Sequence, residues 1–393
     1  MSWAVAFVAM TRQRVAVSAA FLAYGAVSGS WVPRLPAIKE HLRLTDGQLG
    51  VALLALAVGA VIGAGAARFA LNRGARIWVR GGTVALCALL LAPAAAGEFA
   101  ELIVAFTAYG AASGFLDVLE NAQAAELERE ARRPLINGFH GFWSLGAIIG
   151  SLGAAVAAHA GVAPLVQFAV TAVVLSAVSA PFLRHVPDTR GRARAAVVGD
   201  PDRWRLGAAV MAVAAIAFSG ILVESGGADW SAVYLRDVAR ADPGLAASGF
   251  AGFALAMTVV RFGADRLTAR TSPSTVLALG GLLAAAGLGL AIAAPVVAGA
   301  AAGFTLVGAG VAVVVPLAFS AGASLGRSAT ALSLVAASGY AGSIAGPALI
   351  GNVADRLGLR AALAIPLVAA LVVVALARNL RPASTPLALE EVR

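Results

Sequence analysis

The chain has 393 residues, of which 60% are hydrophobic and only 12% charged, with a formal net charge of +9. Soluble domains hold roughly 25% charged residues, so the length goes into membrane spans and leaves no room for a large soluble domain. The positive charge is Arg scattered over short connections without interleaved aromatics, which marks topology and contact with anionic membrane lipid and excludes nucleic acid as a partner.

A spanning helix needs about 20 mostly apolar residues. Runs of that kind predict twelve spans, at 14–33, 47–67, 77–96, 101–123, 137–158, 163–183, 206–227, 246–264, 274–294, 296–321, 329–351 and 361–378. The opening "MSWAVAFVAM" is too short to span and precedes the first basic residues, the reverse of a signal peptide, so the first span is expected to target the chain. Met10 is an alternative start to Met1. Seven of the 29 Lys and Arg residues, Arg34, Lys39, Arg43, Arg236, Arg240, Arg356 and Arg360, fall on one side and the rest on the other. By the positive-inside rule both termini are expected in the cytoplasm of a multi-pass inner-membrane protein.

The first span carries Tyr24 beside Gly25. The fourth ends in "GFLDVLENAQAAELERE", where Ser113, Asp117, Glu120 and Asn121 form one stripe at ~100° per residue. An intramembrane charge is costly and normally faces a cavity or a partner. A desolvated carboxylate there can take up a proton near neutral pH, which proton coupling needs. Asp117 also suits a structural partner for an Arg, and Glu120 a position near enough to the interface to reach water. Glu126, Glu128, Arg129 and Glu130 are expected on a solvated helix end, with the boundary near Gln123.

In the fifth span Asn137, His140, Trp143, Ser144 and Ser151 share one direction and Gly146, Gly150 and Gly153 another. The glycine face suits close packing, leaving the polar face for a cavity. His140 is a candidate proton carrier, since imidazole titrates at about pH 6.5, or a structural histidine. Trp143 is a stacking surface for a flat solute or a packing filler. The seventh span places Glu224 before Gly226 and Gly227, a weak point of the kind found at transporter sites, with Asp229 either an interfacial cap or a gate partner of Arg34. Tyr340 on the eleventh span completes the solute candidates.

The polar stretch 184–205 divides six spans from six, giving a half at 1–183, a cytoplasmic linker at 184–205 and a second half with a short tail at 206–393. Positions correspond across the halves: Trp31 with Trp230 and Gly50 with Gly249 at an offset of 199, and Gly114 with Gly310, Gly146 with Gly342 and Gly150 with Gly346 at 196. By the larger offset Glu224 corresponds to Gly25. The predicted fold is an all-α membrane protein of twelve helices in two pseudo-symmetric halves. The chain lacks HExxH, GxxxxGK[ST] and GxSxG motifs and any Cys/His cluster around its single Cys87, so no enzyme, metal or cofactor is expected and energy is expected from an ion gradient.

Three strings carry a family resemblance. "GAGAARFALNRGAR" places Arg73 and Arg76 after the second span without the usual Asp, "VVRFGADRLTAR" places Arg261 at the end of the eighth and Asp265 and Arg266 just after it, and "GSIAGPALIG" lies on the eleventh. With the two six-span halves these resemble the major facilitator superfamily of secondary transporters. "DVLENAQAAELE", "NGFHGFWSLGA" and "ESGGADWSAVYLRD" are similar to a bacterial branch distantly related to fucose-permease-type sugar-proton symporters. The resemblance implies alternating access about a midplane site, with Arg73, Arg76, Arg261, Asp265 and Arg266 as gate or loop-lock residues. Asp117, His140 and Glu224 are then the main proton candidates, with Glu120 beside them, for a monomeric carrier of a small polar solute. A drug efflux antiporter and a non-transporting sensor or scaffold are the competing readings.

Overall fold

The computed structural model describes residues 3–131, 135–187, 207–324 and 329–379. The side chains of Asn137, Asp265 and Arg266, most of the 184–205 linker and the chain's last residues lie outside it. Twelve helices among the described residues are long and apolar enough to cross a membrane: α1 Thr11–His41, α2 Asp46–Leu71, α3 Ala75–Ala95, α4 Phe99–Ala131, α5 Gly138–His159, α6 Pro164–Leu183, α7 Ala208–Asp237, α8 Pro243–Ala264, α9 Pro273–Ala293, α10 Val297–Gly322, α11 Leu334–Leu357 and α12 Leu359–Leu376. The fold is therefore all-helical and multi-pass.

Local chemistry sets several starts. Thr45 caps α2 in a reciprocal box with Gln48, each side chain accepting from the other's backbone N–H. Asp242 and Ser272 cap α8 and α9, each followed by a Pro whose missing N–H costs nothing in the first turn.

Packing between helices runs along small residues, as the absence of a hydrophobic drive between helices in lipid requires. In the α1–α5 seam a Cβ added at Gly25 would collide with the Trp143 carbonyl, and one at Gly146 with the Leu22 carbonyl. Gly150 packs on Ala26 in the same seam, whereas Gly153 meets nothing and does not belong to the packing face. The second half repeats the contact with Gly342 of α11 against Phe218 of α7. Both members of the repeat are 196 residues apart (342 − 146 and 218 − 22). This register makes Ser28, and not Gly25, the counterpart of Glu224.

Helix α4 continues straight past Gln123 to Ala131. Glu126 is only 9% exposed and its carboxylate takes two hydrogen bonds from Arg129 at 2.6 and 2.7 Å. The expected solvated end thus begins after Glu126, because the first turn beyond the apolar run still packs against the bundle.

The two halves meet most firmly at the end that carries the connections after α1, α5, α7 and α11. Asp355 of α11 accepts from Thr45 Oγ1 and from the Gly47 N–H, both at 2.8 Å, tying it to the start of α2. Lys39 bridges Asp46 and Asp237 at 2.5 Å each, and Arg236 lies 3.6 Å from Glu40. Gly244 of α8 abuts His159 of α5. Toward the other end His140 of α5 and Tyr340 of α11 are exposed, and Gly141 of α5 faces the Phe262 ring of α8.

Candidate functional site

The polar stripe of α4 is the spine of the candidate site. Ser113 shares a 2.8 Å hydrogen bond with the Tyr24 hydroxyl of α1. One turn further, the Asn121 amide donates to the Asp117 backbone carbonyl at 2.9 Å and to Asp117 Oδ1 at 3.2 Å. With the amide nitrogen committed to those acceptors, the Asn121 oxygen faces His140 Nε2 of α5 at 3.2 Å, so His140 donates. Three helices are joined through side chains that the sequence had assigned to one cavity.

Aromatic rings back this chain. Tyr24 meets Trp143 edge-on with centroids 6.2 Å apart, and Phe21 meets His140 edge-on at 5.3 Å. Both edge-on geometries suit the ring quadrupoles. Ser144 does not join the group: it is buried in the helix packing, as is Ser151.

Glu120 lies one turn from Asp117 and is 1% exposed, with neither carboxylate oxygen hydrogen-bonded. It is close enough to Asp117 and Tyr24 to act on both electrostatically. It faces the interior of the first half and not the interface, so water does not reach it as the alternative reading required.

The second half answers with charge. Arg261 of α8 points to Glu224 of α7, 3.6 Å away, and lies within electrostatic reach of His140. Tyr340 of α11, 52% exposed, lies within reach of Asp117. Sequence reasoning had put Arg261 in a gate or loop lock and had not foreseen its pair with Glu224. Its position inside the apolar run 250–264 was the available signal, since an intramembrane cation is costly unless it serves a site.

The remaining candidates separate from the cavity. Arg76 donates to the Val186 carbonyl at 2.7 Å and joins the start of α3 to the end of α6 within one half, while Arg73 is exposed. Asp229 is half-buried near Glu224, and of its two readings the gate pair with Arg34 does not form: Arg34 donates to the Val162 carbonyl instead. Asp265, Arg266 and Asn137 have side chains outside the described part. No group of three or more His, Cys, Asp or Glu side chains suited to a metal is present among the described residues.

Twelve spans in two halves that close on each other at one end, with polar groups of both within electrostatic reach of one another, fit a carrier of the alternating-access class. The sequence profile of the Major Facilitator Superfamily matches residues 16–328, and the chain belongs to that superfamily. It is a secondary active transporter and not an enzyme.

An uncharacterised transporter of Sinorhizobium fredii is 34% identical over 351 residues, covering 88% of this chain and 92% of that one. Membrane protein MosC of Rhizobium meliloti is 29% identical over 352 residues, 88% and 85% of the two chains. Among solved structures, a variant of the nucleoside transporter NupG has a TM-score of 0.72 at 14% identity, covering 93% of this chain and 98% of that one. A bacterial homologue of the human lysosomal transporter Spinster, inward-facing and occupied, has a TM-score of 0.70 at 14% identity, covering 95% and 98%. Identities this low speak for the fold alone.

Proposed function

We propose that the protein moves a small polar organic solute across the bacterial cytoplasmic membrane by proton-coupled alternating access, as a monomer with both termini in the cytoplasm. In that orientation the sealed end is periplasmic and the cavity opens inward.

The observation that carries this reading is the connected polar wall Tyr24–Ser113 and Asp117–Asn121–His140, faced from the other half by Glu224 and Arg261. A site built of hydrogen-bonding groups penalises a solute that leaves them unpaired, which favours polar over amphipathic cargo. Trp143, Tyr24 and Tyr340 supply rings against which a flat or cyclic solute can lie.

The proton is assigned to the same wall. An ionised carboxylate without a partner costs several kcal/mol of desolvation, and Glu120 has none. Protonation of Glu120 or Asp117 removes that cost, and solute arriving at Asn121 and His140 couples the two events. The likeness to sugar-proton symporters of the fucose permease type agrees with this assignment and is part of the proposal.

The test is uptake into proteoliposomes under an imposed pH gradient, scanning sugars, nucleosides and amphipathic efflux substrates, with wild type and Asp117→Asn. Gradient-driven accumulation of a polar solute, lost in the variant, is expected. Flux independent of the gradient and unchanged by the substitution would remove the proton role of Asp117. Gradient-driven export of amphipathic compounds would favour the efflux reading, and no flux of any compound the sensor reading.

A further inference from the structure

Five of the seven basic residues on the sparsely basic side, Arg34, Lys39, Arg43, Arg236 and Arg240, gather at the sealed end. They line two adjoining cavities of about 230 and 490 Å³ that share Pro36, Glu40 and Arg236. The smaller is built from both halves, with Arg34 and Val162 on one wall and Arg236 and Pro243 on the other. Nothing in the transport cycle described above uses it.

Arg34 is the residue that needs explaining. It is 4% exposed, and one terminal nitrogen donates to the Val162 carbonyl at 2.5 Å, which holds the guanidinium at the cavity wall. Its Nε and other terminal nitrogen are shut off from solvent and have no hydrogen-bond partner, and no carboxylate pairs with it among the described residues. A guanidinium has five N–H donors, and burying the charge without an acceptor costs several kcal/mol. Glu40, the carboxylate that lines this cavity, is drawn to Arg236 at 3.6 Å and is mostly exposed. Arg34 and Arg236 against Glu40 leave the smaller cavity with one net positive charge.

The rim adds an independent oddity. Arg43 and Arg240 have φ of 51° and 60°, and among the described residues no other non-glycine has a positive φ. That conformation is unfavourable for an L residue, and glycine or asparagine usually fills it after a helix. Each half instead places an Arg there, after α1 and after α7, and both side chains line the larger cavity.

We propose that this seam is a binding site for a phosphate-class oxyanion, with Arg34 as its inner ligand, Arg236 opposite, and Arg43 and Arg240 as the rim that draws the anion in. A planar guanidinium matches phosphate oxygens in geometry as well as charge, and a small turn of the Arg34 side chain would bring its unpartnered donors to the cavity. Because both halves line the site, a bound anion holds the sealed end shut and biases the carrier against opening there. The phosphate group has two sources, free inorganic phosphate or the phosphodiester headgroup of an anionic lipid.

The test measures thermal unfolding of the purified full chain. In detergent, inorganic phosphate is titrated against chloride at equal ionic strength. In nanodiscs, phosphatidylglycerol is compared with phosphatidylcholine alone. A saturable rise in midpoint with phosphate beyond chloride identifies the free anion. A rise only with phosphatidylglycerol identifies the headgroup.

In either case Arg34→Gln is expected to weaken the apparent affinity at least tenfold, and Arg34→Lys less, since it keeps the charge and loses the fork. Arg240→Gln, on the exposed rim, is expected to weaken it severalfold and keeps the test open if Arg34→Gln does not fold. The proposal falls if neither phosphate nor phosphatidylglycerol exceeds its control, or if the effect is unchanged in the folded variants.

Discussion

His140 Nε2 lies 3.2 Å from the amide oxygen of Asn121, a residue 19 positions earlier on the neighbouring helix. Since the Asn121 nitrogen is held by Asp117, this one amide connects an imidazole to a carboxylate across α5 and α4. An amide can pass orientation but not charge, so a change at either end is felt at the other through hydrogen bonding.

Asn121→Ala should therefore uncouple the pair. The bond to His140 is worth about 1 kcal/mol and a bond to the Asp117 carboxylate about 1.5–3 kcal/mol, so the fold should persist with a lowered midpoint. Gradient-driven uptake is expected to fall at least tenfold. A double-mutant cycle with His140→Ala should show strong non-additivity in transport; simple additivity of the two losses would deny the link.

Glu224→Gln removes the partner of Arg261 without changing shape. The freed guanidinium then faces the cavity beside His140. Uptake of a neutral solute is expected to drop severalfold, and an acidic analogue to compete more strongly than in wild type. Equal competition by neutral and acidic analogues in both proteins would argue that the ion pair lies outside the solute's path.

Helix approach gives a stability prediction. Gly25→Val places side-chain carbon in the Trp143 carbonyl, and Gly146→Val does the same at Leu22. Overpacking of this kind costs about 1–3 kcal/mol or more, and both variants should show lowered midpoints and poor monodispersity in size-exclusion chromatography. Gly153→Val, which meets nothing within the protein, should behave as wild type.

Asp355→Ala tests the seal. Its carboxylate takes hydrogen bonds from the Thr45 hydroxyl and the Gly47 N–H, and bonds to a charged acceptor are worth about 1.5–3 kcal/mol each. Since about 1.4 kcal/mol is a tenfold change in population, the sealed end should open markedly more often. In a Cys87→Ser background, alkylation of a cysteine introduced at Ala37 should accelerate at least tenfold; an unchanged rate would mean that the Lys39 bridges alone close this end.

Much of the molecule was legible in the sequence. The twelve spans followed from apolar runs, because crossing a bilayer demands length and hydropathy that no other fold requires. Helical period put Ser113, Asp117 and Asn121 on one face of α4, but it also put Glu120 in that stripe, and the fold buries Glu120 inside the first half. The tertiary structure alone decided the partners. Arg261 reaches Glu224 across two helices, and Asp355 closes on Thr45 over 310 positions. Glu126 is buried although it lies beyond the apolar run, and Arg34 is buried without a carboxylate partner among the described residues. These are contacts between elements whose relative height and rotation come from packing of small residues along the helix seams. A repeat offset read from one chain leaves that height uncertain by three residues, nearly a full helical turn, which is enough to exchange Gly25 for Ser28 opposite Glu224.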